Sequence, residues 1–172
     1  MQKEKDPNNR IRLVRLPEEH TIVFKEEIQE AFQHGFQAHY PNKEDNNQWQ
    51  VLPDKDFYQS LEAEGAEAYE AVSEDGQRVG GAIITANGTM GELAFLYVKV
   101  GVQSKGIGQS IWKAIETMHP EIEVWETCTP YFDRRNIHFY INRSPQLIPF
   151  QYVEINSHRF SLAATLFSSD FI

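Results

Sequence analysis

The first half of the chain carries apolar residues at helical spacing. Over residues 24–40 they recur three and four positions apart, which predicts a helix that ends at Pro41. After a polar loop over residues 42–50, residues 53–65 predict a second, shorter helix. The predicted apolar face of the first helix consists of Phe24, Ile28, Ala31, Phe32 and Phe36.

Turn signals divide the middle of the chain into strands. Residues 68–72 and 79–85 flank an Asp-Gly turn, which predicts an antiparallel hairpin. An Asn-Gly turn at residues 87–88 follows, and the almost unbroken apolar run over residues 93–100 predicts a central strand buried on both faces. Near the start, residues 11–16 mix apolar and basic side chains with a period close to two, which predicts an edge strand.

Helices and strands alternate in the second half. Residues 122–128 predict a strand, residues 133–142 a helix, and residues 147–155 a strand interrupted at Pro149. The apolar segment 161–167 predicts either a last strand or a contact in a homodimer. A helix with one apolar face precedes these elements, and that face consists of Ile107, Ile111, Ile115 and Met118.

This order of elements predicts an α/β (α+β) fold with a mixed, largely antiparallel central sheet flanked by helices. A chain of 172 residues, 41% hydrophobic, is expected to form a single domain over residues 1–172. The formal net charge of −9 offers no basic face, so we expect neither a nucleic acid nor a membrane as partner.

Cysteine and histidine usage limits the chemistry further. Cys128 is the only cysteine, which excludes an internal disulfide and fits a reducing compartment. The histidines show no ligand spacing, so no metal site is indicated. Residues 1–10 are polar and no apolar run approaches the roughly 18 residues of a spanning helix, so we expect a cytoplasmic protein.

The segment Gln103-Ser104-Lys105-Gly106-Ile107-Gly108, called the donor turn below, joins the predicted central strand to the next helix. Successive backbone N–H groups and the positive end of a helix converge on one anion at such a turn. The P-loop pattern fails because Ile107 replaces its lysine, and the Rossmann pattern fails because Ile111 replaces its last glycine. Another nucleotide site and a plain turn with incidental glycines remain as alternatives.

The donor turn and the strand before it resemble motif A of the GNAT family of N-acetyltransferases. The element order is similar over most of the chain, and the residue detail is similar over about residues 79–144. The resemblance implies that acetyl-CoA is the acyl-donor cosubstrate and that the strands part around residues 125–127 to admit its pantetheine arm. It further implies that the pyrophosphate is held by N–H groups from Gln103 to Gly108 with charge from Lys105, and the arm by backbone groups of Val98 and Val100.

Residues 133–140 resemble the motif B helix of the same family. The resemblance makes Tyr140 the general acid that protonates the leaving thiolate, and a phenol stays protonated at pH 7 because its ordinary pKa is near 10. Packing on the sheet is the alternative for this side chain. Asp133 and Asn136 are expected near the pantetheine arm, although Asp133 replaces the usual Asn and residues 144–145 replace the usual Gly-Phe.

Acyl transfer to an amine needs a base, since an alkylammonium with a pKa of about 10.4 is almost fully protonated at pH 7. Glu92 is the first candidate because it holds the place of the base glutamate in one branch of the family, and Glu126 is the second. A solvated cap at the strand start is the alternative for Glu92. Residues around the polar loop are candidates for an acceptor wall, with core packing as the alternative: Phe36, His39, Tyr40 and Trp49.

The sequence therefore predicts an acyl-CoA-dependent N-acyltransferase that acts on a small-molecule or peptide amine. The amine attacks the thioester directly within a ternary complex. The alternative is a catalytically silent domain of the same fold that binds acyl-CoA as a sensor or partner module.

Overall fold

The computed structural model describes residues 11–39, 52–102, 106–130, 148–154 and 160–167. In these residues seven strands form one sheet, accompanied by three α-helices and a 3-10 helix over Glu18–His20. The strands are β1 (Ile11–Arg15), β2 (Ala66–Ser73), β3 (Arg78–Asn87), β4 (Met90–Val98), β5 (Val124–Pro130), β6 (Ile148–Glu154) and β7 (Phe160–Phe167); the helices are α1 (Thr21–His39), α2 (Asp54–Glu62) and α3 (Ile107–Met118).

The sheet is mixed and largely antiparallel, as predicted. Its strand order is β1-β2-β3-β4-β5-β7-β6, and only the β4–β5 pair is parallel. The first four strands form an antiparallel meander with β1 at the edge, and α3 provides the crossover that a parallel pair requires.

The sequence predicts the last two strands as segments but not their order in the sheet. Strand β7 lies between β5 and β6, so the apolar segment 161–167 is a strand inside the sheet. The register of β6 shifts between Ile148 and Gln151, where Pro149 has no N–H to donate to a ladder. The predicted interruption at Pro149 is therefore confirmed.

Each face of the sheet has its own apolar core. Helix α3 packs on one face, called the α3 face, and helices α1 and α2 pack on the other, called the α1 face. The core of the α3 face includes Leu93, Ile107, Ile111, Ile115 and Trp125, and that of the α1 face includes Phe24, Ile28, Phe57, Ile83 and Tyr97.

Two details of the predicted elements are wrong. Met118 is 46% exposed, because α3 ends there and the chain buries His119 and Ile122 instead as it turns towards β5. Strand β4 ends at Val98, two residues before the predicted end, and most of its second half is only half-buried. One edge of that half has no neighbouring strand among the described residues.

A glycine brings β4 and β5 together at the start of their pairing. A Cβ atom at Gly91 would lie 2.5 Å from two ring carbons of Trp125, so no other residue fits against this fully buried ring. Trp125 in turn packs edge-on against Trp112 of α3, with ring centroids 5.2 Å apart. These contacts fix the crossover and thus the relative position of β4 and β5.

Candidate active site

Strands β4 and β5 pair over only four residues and then part. Their parallel pairing runs from Met90–Val124 to Leu93–Thr127, although β4 continues to Val98 and β5 to Pro130. Beyond Thr127, β5 stays paired with β7 on its other side. The second half of β4 therefore has an edge that no described strand occupies. The predicted parting around residues 125–127 is confirmed at the end of that range, since Thr127 is the last residue of β5 that pairs with β4.

A β-bulge marks the same point on β4. Ile83 pairs with Phe95 and Ile84 pairs with Leu93, so Ala94 is an extra residue without a partner in β3. A bulge bends its strand and releases backbone groups from the ladder. The free edge from Ala94 to Val98 is about 13 Å long at the usual rise per residue, and it can accept an extended ligand by backbone hydrogen bonds.

The last paired rung is closed by a side-chain hydrogen bond. The buried Thr127 donates from Oγ1 to the carbonyl oxygen of Leu93 over 3.1 Å. Thr127→Val keeps the shape but leaves that carbonyl with one donor fewer, so we expect a loss of about 1–2 kcal/mol in the free energy of unfolding. Urea denaturation measures this loss.

Thr117→Val is the matched control for that prediction. Thr117 also donates to a backbone carbonyl, that of Lys113 over 2.8 Å, but at an exposed position on α3. Its substitution is expected to change the stability by less than about 0.5 kcal/mol. Equal losses in the two variants would show that the Thr127 hydrogen bond does not secure the junction.

The described part of the donor turn, residues 106–108, lies at the far end of the free edge, where α3 begins. Gly106 is the N-cap residue with φ 107° and ψ −9°, a left-handed conformation that favours glycine. The first helical bond runs from Ser110 N–H to the Gly106 carbonyl over 2.9 Å, and among the described residues no side chain caps this end. The N–H groups of Ile107 and Gly108 therefore precede the helical hydrogen bonds and can bind an anion.

The helix start also packs onto β4. Ile107 is buried in the core of the α3 face, and a Cβ at Gly108 would meet Leu96 and Val98 at 3.7 Å, an ordinary contact distance. The predicted donor-turn residues Gln103, Ser104 and Lys105 lie outside the described residues. The N-terminal end of α3 therefore packs directly on the part of β4 that carries the free edge.

Glu92 and Glu126, the two candidate bases, are brought together. They lie opposite each other in the parallel register of β4 and β5, one rung before the strands part. Both side chains are exposed. Since Gly91 and Trp125 face the α3 side, Glu92 and Glu126 lie on the α1 face. The pair forms a negative spot beside the opening.

Several other predicted site residues lie elsewhere. Val98 is the last residue of β4, whereas Val100 lies beyond it in the turn that Gly101 closes with φ 88°. Phe36 is half-buried near the end of α1. The remaining predicted residues lie outside the described residues or have no described side chain: Asp133, Asn136, Tyr140, His39, Tyr40 and Trp49.

An aromatic contact near the opening was missed by the sequence reading. The rings of Phe32 on α1 and Phe95 on β4 have centroids 6.0 Å apart, and both are half-buried on the α1 face. Phe95 follows the bulge residue directly. An apolar wall thus adjoins the carboxylate pair.

A buried charge network on the α1 face was also missed. The Glu27 carboxylate accepts hydrogen bonds from Arg78 Nη2 at 2.9 Å and from the Tyr97 hydroxyl at 2.9 Å, and Lys99 Nζ lies 3.0 Å away. Glu27 is 6% exposed. A signal existed in the sequence, because Glu27 lies three residues after Phe24 on the apolar face of α1.

The network extends to a second buried carboxylate. Glu70 on β2 accepts a hydrogen bond from Arg78 Nη1 at 3.0 Å, and His20 Nδ1 lies 2.9 Å from the same oxygen. Burial and the neighbouring charge of Glu27 raise the pKa of Tyr97. Burial lowers the pKa of Arg78, but the hydrogen bond to Glu70 and the charge of Glu27 outweigh it, so the net shift is upwards. The Tyr97 hydroxyl thus keeps its proton and donates it in a hydrogen bond to Glu27.

Two absences hold for the part of the chain that the structure describes. There, no group of His, Cys, Asp or Glu side chains has the arrangement of a metal site. Among the same residues, no helix combines the length and apolar character needed to cross a membrane.

Sequence comparison identifies the family. Residues 24–143, more than half of the chain, match the Acetyltransferase (GNAT) family. The Bacillus subtilis protein YrkN is 39% identical over 122 residues, which cover 70% of this chain. The aligned region spans 64% of that relative's own length. The chain therefore belongs to the GNAT acetyltransferase family.

Solved structures share the fold at low sequence identity. An acetyltransferase of the GNAT family from Staphylococcus aureus has a TM-score of 0.64 at 15% identity, over 93% of this chain and 100% of that one. The PaiA N-acetyltransferase from Thermoplasma acidophilum in complex with coenzyme A has a TM-score of 0.57 at 16% identity, over 90% and 98%. A GNAT acetyltransferase from Elizabethkingia anophelis with acetyl-CoA bound has a TM-score of 0.58 at 13% identity, over 95% and 99%.

Proposed function

We propose that this protein transfers an acetyl group from acetyl-CoA to a primary amine by direct attack in a ternary complex. The observation that carries the proposal is the parting of β4 and β5 after Leu93–Thr127, between the N-terminus of α3 and the Glu92–Glu126 pair. One end of this opening suits an anion and the other suits a cation. An acyl-CoA and an amine are such a pair of substrates.

The donor half is assigned to the free edge of β4 and to the donor turn. N–H groups around Gly106 would hold the pyrophosphate, and the pantetheine arm would run along the edge towards the bulge at Ala94. The family membership and the coenzyme-bound neighbours support this assignment. N–H groups released at the bulge would polarise the thioester carbonyl.

The acceptor half is assigned to the α1 face beside Glu92. A carboxylate there attracts the ammonium group and takes its proton, directly or through water. The neutral amine then forms the C–N bond, the C–S bond breaks and the leaving thiolate takes up a proton, while the acylated nitrogen gives its extra proton to water to leave the amide. Phe32 and Phe95 would contact the apolar part of the acceptor.

The proton for the thiolate is assigned to Tyr140. Tyr140→Phe is expected to lower kcat about a hundredfold, because general acid catalysis is lost while the coenzyme contacts remain. Steady-state kinetics and a calorimetric titration with coenzyme A measure the two effects. Tyr58→Phe, at an exposed tyrosine of α2, is the control and should change neither. Loss of coenzyme binding in Tyr140→Phe would assign this phenol to packing.

Thiol release from acetyl-CoA tests the reaction itself. The assay uses a panel of polyamines, aminoglycosides, amino acids and peptide N-termini, and it should show turnover with at least one class of amine. The named neighbours are acetyltransferases, which supports an enzyme rather than a silent acyl-CoA-binding module. Tight coenzyme binding without turnover on any amine would favour the silent module.

A further inference from the structure

The chain between β4 and the donor turn is fixed by backbone hydrogen bonds. Lys99 N–H donates to the Val79 carbonyl over 2.9 Å, which extends the contact with β3 one residue past the end of β4. Val102 N–H donates to the Lys99 carbonyl over 3.3 Å and closes a turn in which Gly101 has φ 88°. The orientation of Lys99 therefore sets the course of the chain as far as Val102, the last described residue before the donor turn.

The side chain of Lys99 is fixed as well, by a residue on another element. Its ammonium nitrogen lies 3.0 Å from Glu27 Oε1, and its side chain is 37% exposed whereas that of Glu27 is 7% exposed. Glu27 cannot move freely, because Arg78 and Tyr97 also bond to its carboxylate. Lys99 is thus held between the sheet and α1.

This ion pair joins α1, which borders the proposed acceptor site, to the chain that leads from β4 towards the donor turn. Helix α1 also carries Phe32, which contacts Phe95 at the opening. A displacement of α1 would act on Lys99 through Glu27, and a displacement of Lys99 would act on the donor turn through the chain. Packed elements transmit such displacements because protein interiors are close-packed.

We propose that the Glu27–Lys99 ion pair positions the donor turn, so that Lys99 raises the affinity for coenzyme A without touching it. The inference rests on the proposed function, in which the donor turn holds the coenzyme. Lys99 is accordingly a positioning residue, because its charge is directed at Glu27 and acts through the backbone.

Lys99→Met is the first test. The dissociation constant for coenzyme A, measured by calorimetry, is expected to rise about three- to tenfold. The melting temperature should change little, because the side chain is more than a third exposed and Glu27 keeps two other partners. Lys99→Arg restores the charge and should restore most of the affinity.

Lys25→Met is the matched control. Lys25 lies on α1, the helix that carries Glu27. It forms an ion pair of the same 3.0 Å length with Asp54 of α2, away from the donor turn. It should leave the coenzyme affinity unchanged. An equal loss of affinity in the Lys25 and Lys99 variants would overturn the inference, because any ion pair made by α1 would then act alike.

Glu27→Gln separates positioning from direct phosphate contact. If Lys99 acts through position, Glu27→Gln weakens coenzyme binding, and the double variant is no weaker than Lys99→Met alone. If Lys99 binds a phosphate directly, Glu27→Gln frees its ammonium and leaves or improves the affinity, which overturns the inference. Should Glu27→Gln fail to fold, the salt dependence of Lys99→Met decides. A weaker salt dependence than that of the wild-type protein would indicate a direct phosphate contact.

The two proposals fail in different ways in this experiment. Absence of coenzyme binding by the wild-type protein overturns the proposed function, and the inference falls with it. Binding by the wild-type protein that Lys99→Met leaves unchanged overturns the inference alone. A loss in Lys99→Met that Lys99→Arg restores, with Lys25→Met unchanged, supports both.

Discussion

Glu92→Gln is expected to lower kcat for acetyl transfer about a hundredfold at pH 7, because a general base contributes at least that much to such a step. Glutamine keeps the size and the exposure of the side chain but accepts no proton. The affinity for coenzyme A should stay the same, since Glu92 lies at the opposite end of the free edge from the donor turn. Steady-state kinetics with an accepted amine, together with calorimetry, measure both quantities.

A second readout follows from the chemistry of the amine. The neutral fraction of an alkylammonium rises about tenfold for each pH unit below its pKa of about 10.4, so the free amine replaces the missing base at higher pH. The ratio of wild-type to Glu92→Gln activity should therefore shrink as the pH rises from 7 to 9. A pH-independent deficit would show that Glu92 orients the acceptor and does not take its proton.

Glu126→Gln is the matched control, since the two carboxylates share one rung of the sheet and both are exposed. We expect a decrease of less than about tenfold, through weaker attraction of the ammonium group. If Glu126→Gln lowers kcat more than Glu92→Gln does, the base is Glu126 on β5. If neither variant loses activity, neither carboxylate takes the proton.

Gly106→Ala is expected to weaken coenzyme binding about tenfold or more. With φ at 107°, a residue with a Cβ atom is strained by about 1–2 kcal/mol, and the turn relieves the strain by turning its N–H groups away from the anion. A tenfold change in affinity corresponds to about 1.4 kcal/mol, which is the size of this strain. Calorimetric titration with coenzyme A measures the loss.

Gly76→Ala provides a control with the same backbone cost. Gly76 has φ 84° in the turn between β2 and β3, and a Cβ there would meet nothing within 4 Å. It should lower the melting temperature by a similar amount while the coenzyme affinity stays that of the wild-type protein. Equal effects of the two variants on affinity would mean that general destabilisation, and not the shape of the donor turn, sets the binding.

Local periodicity accounts for the elements that the sequence predicts well. Helix α3 begins and ends where its apolar spacing and Pro120 indicate, and the β2–β3 hairpin forms around the predicted Asp-Gly turn. Signals of this kind lie within one element and are readable without partners. The insertion of β7 between β5 and β6 depends on pairing between distant segments, which no local pattern specifies.

The candidate site divides in the same way. The donor turn was readable as a short pattern and Glu92 from the family resemblance, and the described residues place Gly106 and Glu92 at opposite ends of the free edge of β4. The bulge at Ala94 and the burial of Glu27 were not predicted, because each depends on a partner strand or on a residue far along the chain. Arg78, for example, is 51 positions from the Glu27 carboxylate that it binds.

Calorimetric titration of the wild-type protein with coenzyme A and, separately, with ATP tests directly whether the free edge of β4 and the donor turn form a coenzyme A site. Both ligands carry an adenine nucleotide and phosphates, but only coenzyme A has an arm that can lie along the free edge from Ala94 to Val98. We expect coenzyme A to bind at one site per chain and ATP to bind far more weakly. Equal affinity for the two ligands, or no binding of coenzyme A, would contradict this expectation.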